Sequence, residues 1–288
     1  MSISLYAAAS TLQSAQKKVD TISNNLANIS TVGYKAQRAN FQDLLHERLE
    51  QNEVVNLEGR ITPLGLQYGH GVRVNEVTRD MSMGNLTETG DPHHLAISGP
   101  GMFQLLVSHE QAQRLGVSQE AMDVYDNDQY GYAFTRDGNF RVDARQGYRT
   151  LVDPRGYQLS DIYGNPIEFT EDVESVRVDE RGNVYLNEDA VPFTQLMVVN
   201  FRNPQSLHHA GNNIYVENNY IVGNYQDALN NPDILREARI QQGFVESSNV
   251  DMIREMTELV AAQRMLQFGA RAIQSTDTMM GITNTIRA

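Results

Sequence analysis

The stretch NNLANISTVGYKAQ, Asn24 to Gln37, breaks a regular apolar rhythm with asparagine, serine, threonine and glycine. Upstream of it, Leu5, Ala8, Leu12, Ala15, Val19, Ile22, Leu26 and Ile29 follow one another at alternating steps of three and four residues. That is the spacing of a helix that packs along another helix. It predicts a helix over residues 3–29, roughly 40 Å long at 1.5 Å per residue. Gly33 falls just past the seam, where a left-handed C-terminal cap forms. Asn24, Asn25 and Asn28 lower helix propensity, and their side chains are able either to cap the helix end or to bridge backbone groups of a neighbour. Ordinary surface asparagines are the alternative. A second short helix is expected in QRANFQDLLHERLEQ, with Phe41, Leu44, Leu45 and Leu49 on one side.

The other end of the chain carries a matching seam. Between Ser248 and Arg287, Met252, Leu259, Leu266, Ile273 and Met280 recur every seven residues, with Met265, Ala272, Met279 and Ile286 alongside. Ala262, Gly269 and Thr276 lie between them and are small enough to let another helix approach closely. A single stripe of this kind is equally the inner face of a globular core. A seam at each end favours two terminal helices that pair, with apolar surface left over for neighbouring subunits.

From Val54 to Glu237 the period changes. YAFTRDGNFRVD, SVRVDERGNVYLN and FTQLMVVNF set β-branched and aromatic residues around Asp-Gly and Arg-Gly-Asn turns, which reads as short antiparallel strands. The expected fold class is therefore α+β: long N- and C-terminal helices pairing in a coiled-coil-like domain, with a central antiparallel β domain. Three segments follow, an N-terminal helical segment (1–53), a β-rich domain (54–240) and a long C-terminal helix (241–288). The polar, loosely helical residues 107–131 read as an insertion in a hairpin.

Composition narrows the function. A chain of 288 residues with 40% hydrophobic content can bury a sizeable core. A net charge of −13 argues against nucleic-acid binding, which needs concentrated Lys and Arg. No cysteine is present, so neither disulfides nor thiolate chemistry is available. The apolar runs are too short and too interrupted for membrane insertion, and the N-terminus lacks the pattern of a secretory signal. His93-His94 and His208-His209 are adjacent pairs that point to opposite faces of a strand, unlike two metal ligands on one face. Asp126, Asp128, Gly131 and Asp137 imitate a calcium loop, but Tyr130 stands where an oxygen ligand is needed. No phosphate loop, nucleophile elbow or dinucleotide fingerprint occurs. No catalytic, cofactor-binding or metal-ligating residue is assigned, and a non-catalytic assembly protein is expected. A soluble β-rich enzyme and a trimeric coiled-coil fibre are the rival readings.

TISNNLANISTVGYKAQRANFQDLL (Thr21 to Leu45) closely resembles the N-terminal signature of the bacterial flagellar rod and hook proteins, the axial proteins of the basal body. TPLGLQYGHGVRVNEVTRDMSMGNLTETGDPHHLAISGPGMFQL (Thr62 to Leu105) looks like the family's next block, with Met102 in place of a phenylalanine. GFVESSNVDMIREMTELVAAQRMLQFGARAIQSTDTMMGITNTIR (Gly243 to Arg287) is similar to its C-terminal signature. The 107–131 segment alone departs from the pattern. Length and the Thr62 block resemble the distal-rod branch; a proximal-rod or hook-type axial protein is the alternative.

The resemblance implies a self-polymerising subunit of a hollow helical shaft that joins motor to hook. It implies passage through the flagellar type III export apparatus without a cleaved signal peptide, and a place in the basal body outside the cytoplasmic membrane. Other rod proteins and the hook protein are the implied partners. Leu12, Val19, Ile22, Leu26, Leu259, Leu266 and Ile273 are then expected to bury at helix interfaces between subunits. Asn24, Asn25, Asn28, Gln263 and Arg264 are expected to hydrogen-bond there, with a solvated face as the alternative for the last two.

Overall fold

The computed structural model describes residues 3–43, 46–49, 66–69, 72–115, 130–145, 147–170, 173, 175–187, 190–201, 203–216 and 238–287. The chain divides into two compact units. The first comprises residues 1–27, 37–79 and 251–288, the second residues 28–36 and 80–250.

In chain order the first unit begins with helix α1 (Ile3–Ala27) and strands β1 (Gln37–Asp43), β2 (His46–Leu49), β3 (Leu66–Gly69) and β4 (Val72–Arg79). The second unit holds β5 (Leu86–Glu88), β6 (Leu95–Ser98), β7 (Met102–Ser108), the short helix α2 (His109–Arg114), β8 (Tyr130–Thr135), β9 (Arg141–Arg145), β10 (Tyr148–Val152), β11 (Gln158–Leu159) and β12 (Glu168–Thr170). It continues with β13 (Val176–Val178), β14 (Asn183–Leu186), β15 (Thr194–Gln195), β16 (Val198–Val199), β17 (His208–Gly211), β18 (Ile214–Val216), β19 (Arg239–Gln242) and β20 (Phe244–Glu246). Helix α3 (Met252–Arg287) returns the chain to the first unit. The fold is thus α+β, with a helix at each end and an antiparallel sheet between.

Within the first unit α1 and α3 pack along one another. Lys18 Nζ lies 3.3 Å from Glu258 Oε2, while a Cβ on Gly269 would sit 3.2 Å from Leu12 Cγ. Rising numbers on α1 therefore meet falling numbers on α3, and the helices are antiparallel. Asp251 starts α3 by accepting the Ile253 and Arg254 amides on Oδ1, at 2.9 and 3.3 Å, which satisfies two donors that a helix N-terminus leaves open.

The expected second short helix at QRANFQDLLHERLEQ is instead two strands. β1 pairs antiparallel with β4 from Gln37↔Arg79 to Asp43↔Val72, with an irregularity between Asn40 and Phe41, and β2 pairs with β3. The partner strands β4 and β3 lie beyond the reach of any local pattern, and their ladder hydrogen bonds outweigh the helical spacing of Phe41 and Leu49. Leu44 and Leu45 lie outside the described residues.

The second unit is built on a nine-stranded antiparallel sheet in the order β12-β10-β11-β7-β8-β18-β17, with β16 against β7 and β9 against β10. The expected hairpin turns are present: Asp137-Gly138 stands between β8 and β9, and Arg181-Gly182-Asn183 leads into β14. Phe103 packs edge-on against Phe140 with ring centroids 5.2 Å apart, among Leu95, Ile97, Leu105 and Leu196. A second cluster sets Phe134 against Phe201 at 4.8 Å, with Met102 and Tyr215 beside them. Ser108 pairs with Tyr130, so residues 109–129 connect two adjacent strands; residues 116–129, including Asp126 and Asp128, lie outside the described residues.

Candidate functional site

Apart from Asn28, which belongs to the second unit, the residues expected to carry function lie on the helix pair of the first unit. Ile22 is buried; Leu12, Val19, Leu26, Leu259, Leu266 and Ile273 are half-buried, and Ala262 and Gly269 are buried between them. Gly269 lets α1 come close, since a Cβ there would sit 3.2 Å from Leu12 Cγ. Gln263 and Arg264 are exposed on α3.

Among the described residues, nothing covers a second apolar face of α3. Ile253 is 81% and Phe268 67% exposed, with Met256, Val260, Met265, Met279 and Ile282 exposed as well. Large apolar side chains in such a row mark an interaction surface.

The asparagines separate by role. Asn24 is exposed and Asn28 half-buried. Asn25 is 1% exposed: its Nδ2 donates to Gln37 O and its Oδ1 accepts from Gln37 N, both at 2.8 Å. A side-chain amide here imitates a strand partner and satisfies both backbone groups of the first β1 residue. Asn25 is thus committed inside its own chain, which corrects its expected place among the residues bonding to a neighbouring subunit. Burial raises the pKa of nearby Glu255 above the ordinary carboxylate range, against a hydrogen bond from Asn25.

The other half of the opening stretch, residues 28–36, belongs to the second unit and is held there by a buried charge cluster. Lys35 Nζ lies 2.7 Å from Glu246 Oε1 and donates to Ser82 O at 2.7 Å. Arg136 Nε lies 2.5 Å from Glu246 Oε2, and its other nitrogens donate to Ile97 O, Gly99 O and Gly101 O. The Gly84 amide donates to Glu246 Oε1 at 2.7 Å. Lys35, Arg136 and Glu246 are each no more than 5% exposed. Burial raises the pKa of Glu246, but Arg136 and Lys35 together outweigh it and hold the carboxyl below its ordinary value. Burial draws Lys35 below the usual lysine value, with Glu246 opposing. Such charges persist in an interior only when paired and hydrogen-bonded throughout.

The backbone around Lys35 is fastened as closely. Gly33, expected to cap α1, lies six residues past the end of the helix at Ala27. Its φ of +67° serves a different purpose: its amide donates to Glu246 O at 2.7 Å, and a Cβ would sit 2.7 Å from Asp137 N. Only glycine permits both the conformation and the approach. Asn213 Nδ2 donates to Val32 O at 2.8 Å. Asn249 Oδ1 accepts from Ala36 N at 2.8 Å while its Nδ2 donates to Asp80 O and Ser82 O. Lys35, Arg136, Asn213, Glu246 and Asn249 escape a reading based on apolar seams; the one signal in the sequence is a lysine set between Tyr34 and Ala36 in the first signature and a glutamate in the last.

Among the described residues, no group of three or more His, Asp or Glu side chains could hold a metal ion, and no helix is long and apolar enough to cross a membrane. Asp137, from the calcium-like pattern, accepts instead from Asn139 N and Arg155. The arrangement fastens chain segments together; its buried charges are consumed by one another and by backbone carbonyls.

Three family models place the chain in the class of flagellar rod and hook proteins. Residues 5–35 match flagella basal body rod protein, residues 123–186 the flagellar hook protein FlgE/F/G D1 domain, and residues 241–286 flagellar basal body rod FlgEFG protein C-terminal. The flagellar basal-body rod protein FlgG of Borreliella burgdorferi is 31% identical over 287 residues, 98% of each chain. FlgG of Caulobacter vibrioides is 30% identical over 289 residues, and the flagellar hook-basal body complex protein FlhP of Bacillus subtilis 32% over 292, each covering 99% of both chains. The chain belongs to the family of flagellar basal-body rod proteins.

Proposed function

We infer that this chain is a structural subunit of the flagellar basal-body rod, in the distal part, and that it polymerises into a hollow helical shaft transmitting torque from motor to hook. Full-length similarity to proteins named FlgG supports the rod assignment, and the exposed apolar row on α3 carries the polymerisation. α1 and α3 pair as an antiparallel coiled coil around Ala262 and Gly269. The uncovered face of α3 packs against further copies, and a repeated contact that does not close on itself yields a filament. Leu12, Val19, Ile22, Leu26, Leu259, Leu266 and Ile273 form the seam that stiffens under assembly, and Asn24, Asn28, Gln263 and Arg264 bond across copies.

Segments 1–53 and 241–288 serve assembly, and 54–240 forms the body. The first unit holds eleven basic and eleven acidic residues, so the whole −13 lies in the second. Copies of a neutral helical unit pack without net repulsion. The subunit leaves the cytoplasm through the flagellar type III export apparatus, without a cleaved signal peptide, and works outside the cytoplasmic membrane beside other rod proteins and the hook protein. It performs no catalysis. Similarity to FlhP supports a second reading, a different component of the hook-basal body complex.

Phe268→Asp, on the uncovered face, is expected to abolish polymerisation of purified subunits while leaving the thermal unfolding of the monomer unchanged. Leu266→Asp, on the α1-facing side, is expected to abolish it and also to lower the helix content of the monomer. Electron microscopy of basal bodies from a deletion strain decides the assignment: loss of the distal rod supports it, and an intact rod and hook rules it out.

A further inference from the structure

In the second unit, two buried carboxylates share one half-buried guanidinium. Arg155 Nη2 donates to Asp137 Oδ2 at 3.0 Å, and Arg155 Nε lies 3.2 Å from Asp153 Oδ2. Asp153 is 1% exposed, and neither of its oxygens meets a partner in hydrogen-bonding geometry. Arg155 Nη1 is likewise buried and unbonded. The Asp153 backbone closes the turn between β10 and β11: its amide donates to Tyr157 O at 2.9 Å, and its carbonyl accepts from Gly156 N at 2.8 Å. The charged groups facing Asp153 are Arg155 in the same turn, Asp137 after β8 and Arg141 on β9, with His94 beside Asp137.

If both carboxyls ionise, the group holds two negative charges against one half-buried positive charge. Arg141 does not redress this, since it is exposed and donates its Nη2 to Pro154 O. A buried carboxylate without hydrogen bonds is costly, whereas a neutral carboxyl there is not. We propose that Asp153 is a proton-dependent latch: it keeps its proton in the folded body, and the 153–157 turn and the sheet it closes weaken when that proton is lost.

Burial pushes the Asp153 carboxyl up to about 7, with Asp137 adding to the rise and Arg155 and Arg141 opposing it. A carboxyl whose folded value lies above its unfolded value stabilises the fold when protonated, and that contribution shrinks as pH rises through the folded value. The loss therefore runs from the ordinary carboxylate value up to about 7 and is nearly complete above it, so stability falls as pH rises across that window. For a group at about 7, the folding constant falls about tenfold between pH 6 and pH 8. Resting on the export reading, the latch favours an unfolded chain in the cytoplasm and a folded body on the outer side of the membrane whenever that side is the more acidic.

The test is urea unfolding of the full-length chain at pH 6, 7 and 8, wild type against Asp153→Asn, with Asp143→Asn as the control. Asp153→Asn is expected to lose the tenfold decline that wild type and Asp143→Asn retain. Equal pH dependence in Asp153→Asn and wild type overturns the latch. Carbon-13 NMR titration of the Asp153 carboxyl in the wild-type chain reads the same group without substitution: a midpoint near 7 supports the proposal, and one below about 5 overturns it. Both measurements are made on the isolated chain, so their failure leaves the rod assignment standing, and loss of the rod assignment leaves them valid.

Discussion

Replacing Glu246 with Gln preserves the shape of the buried cluster but leaves Lys35 and Arg136 as two cations with only neutral acceptors. Removing one partner from a buried ion pair costs about 3–5 kcal/mol, and Glu246→Gln is expected at that level because it strips the anion from two cations at once. Lys35→Met is milder. Glu246 keeps Arg136 at 2.5 Å and the Gly84 amide at 2.7 Å, and Ser82 O keeps the Asn249 side chain. Loss of the remaining bonds then costs about 1–2 kcal/mol. Urea unfolding followed by far-ultraviolet circular dichroism reads both, as a lower midpoint at unchanged slope. Acid adds a further check. The folded value of Glu246 is depressed, so its contribution is present above the unfolded carboxylate value and is lost as pH falls through the lower folded one. The gap between wild type and Glu246→Gln is therefore constant at neutral pH and closes only below the ordinary carboxylate range. If Lys35→Met costs as much as Glu246→Gln, or if the gap closes near neutrality, the cluster is not organised around a shared carboxylate.

Two further substitutions probe the halves of the opening stretch. Gly33→Ala forces a side chain into a left-handed conformation, at about 1–2 kcal/mol, and sets its Cβ 2.7 Å from Asp137 N; a thermal midpoint equal to wild type would show that the 28–36 segment is not seated as described. Asn25→Ala strands the Gln37 amide and carbonyl, at about 1–3 kcal/mol, and hydrogen exchange at the Gln37 amide is expected to quicken while strands of the second unit keep their protection. Uniform exchange across both units would contradict the local role of Asn25.

The helices at both ends were legible because their signal is local and repeated. Leu12 and Leu266 sit in patterns of three and four that hold whatever else the chain does, and Gly269, a small residue in a large stripe, marked a close helix approach before any partner was known. The hairpin strands were legible for the same reason, through Asp137-Gly138 and its flanking alternation. Residues 37–43 and 46–49 were not, because Phe41 and Leu49 sit at spacings a helix also allows, and the deciding ladders come from Val72–Arg79 and Leu66–Gly69, beyond the intervening chain.

The opening stretch divides between the two kinds of information. Its composition alone marked that the helix ends within it, since asparagine lowers helix propensity, and placed there a residue that takes a positive φ without strain. What those residues are for was decided only by tertiary structure. Asn25 turned out to serve Gln37, Gly33 to admit Asp137, and Lys35 to meet Glu246 at a separation of 211 residues. Backbone preference is a property of neighbours in sequence. A buried hydrogen bond or ion pair depends on which distant group the fold brings to within 3 Å, and no local pattern records that.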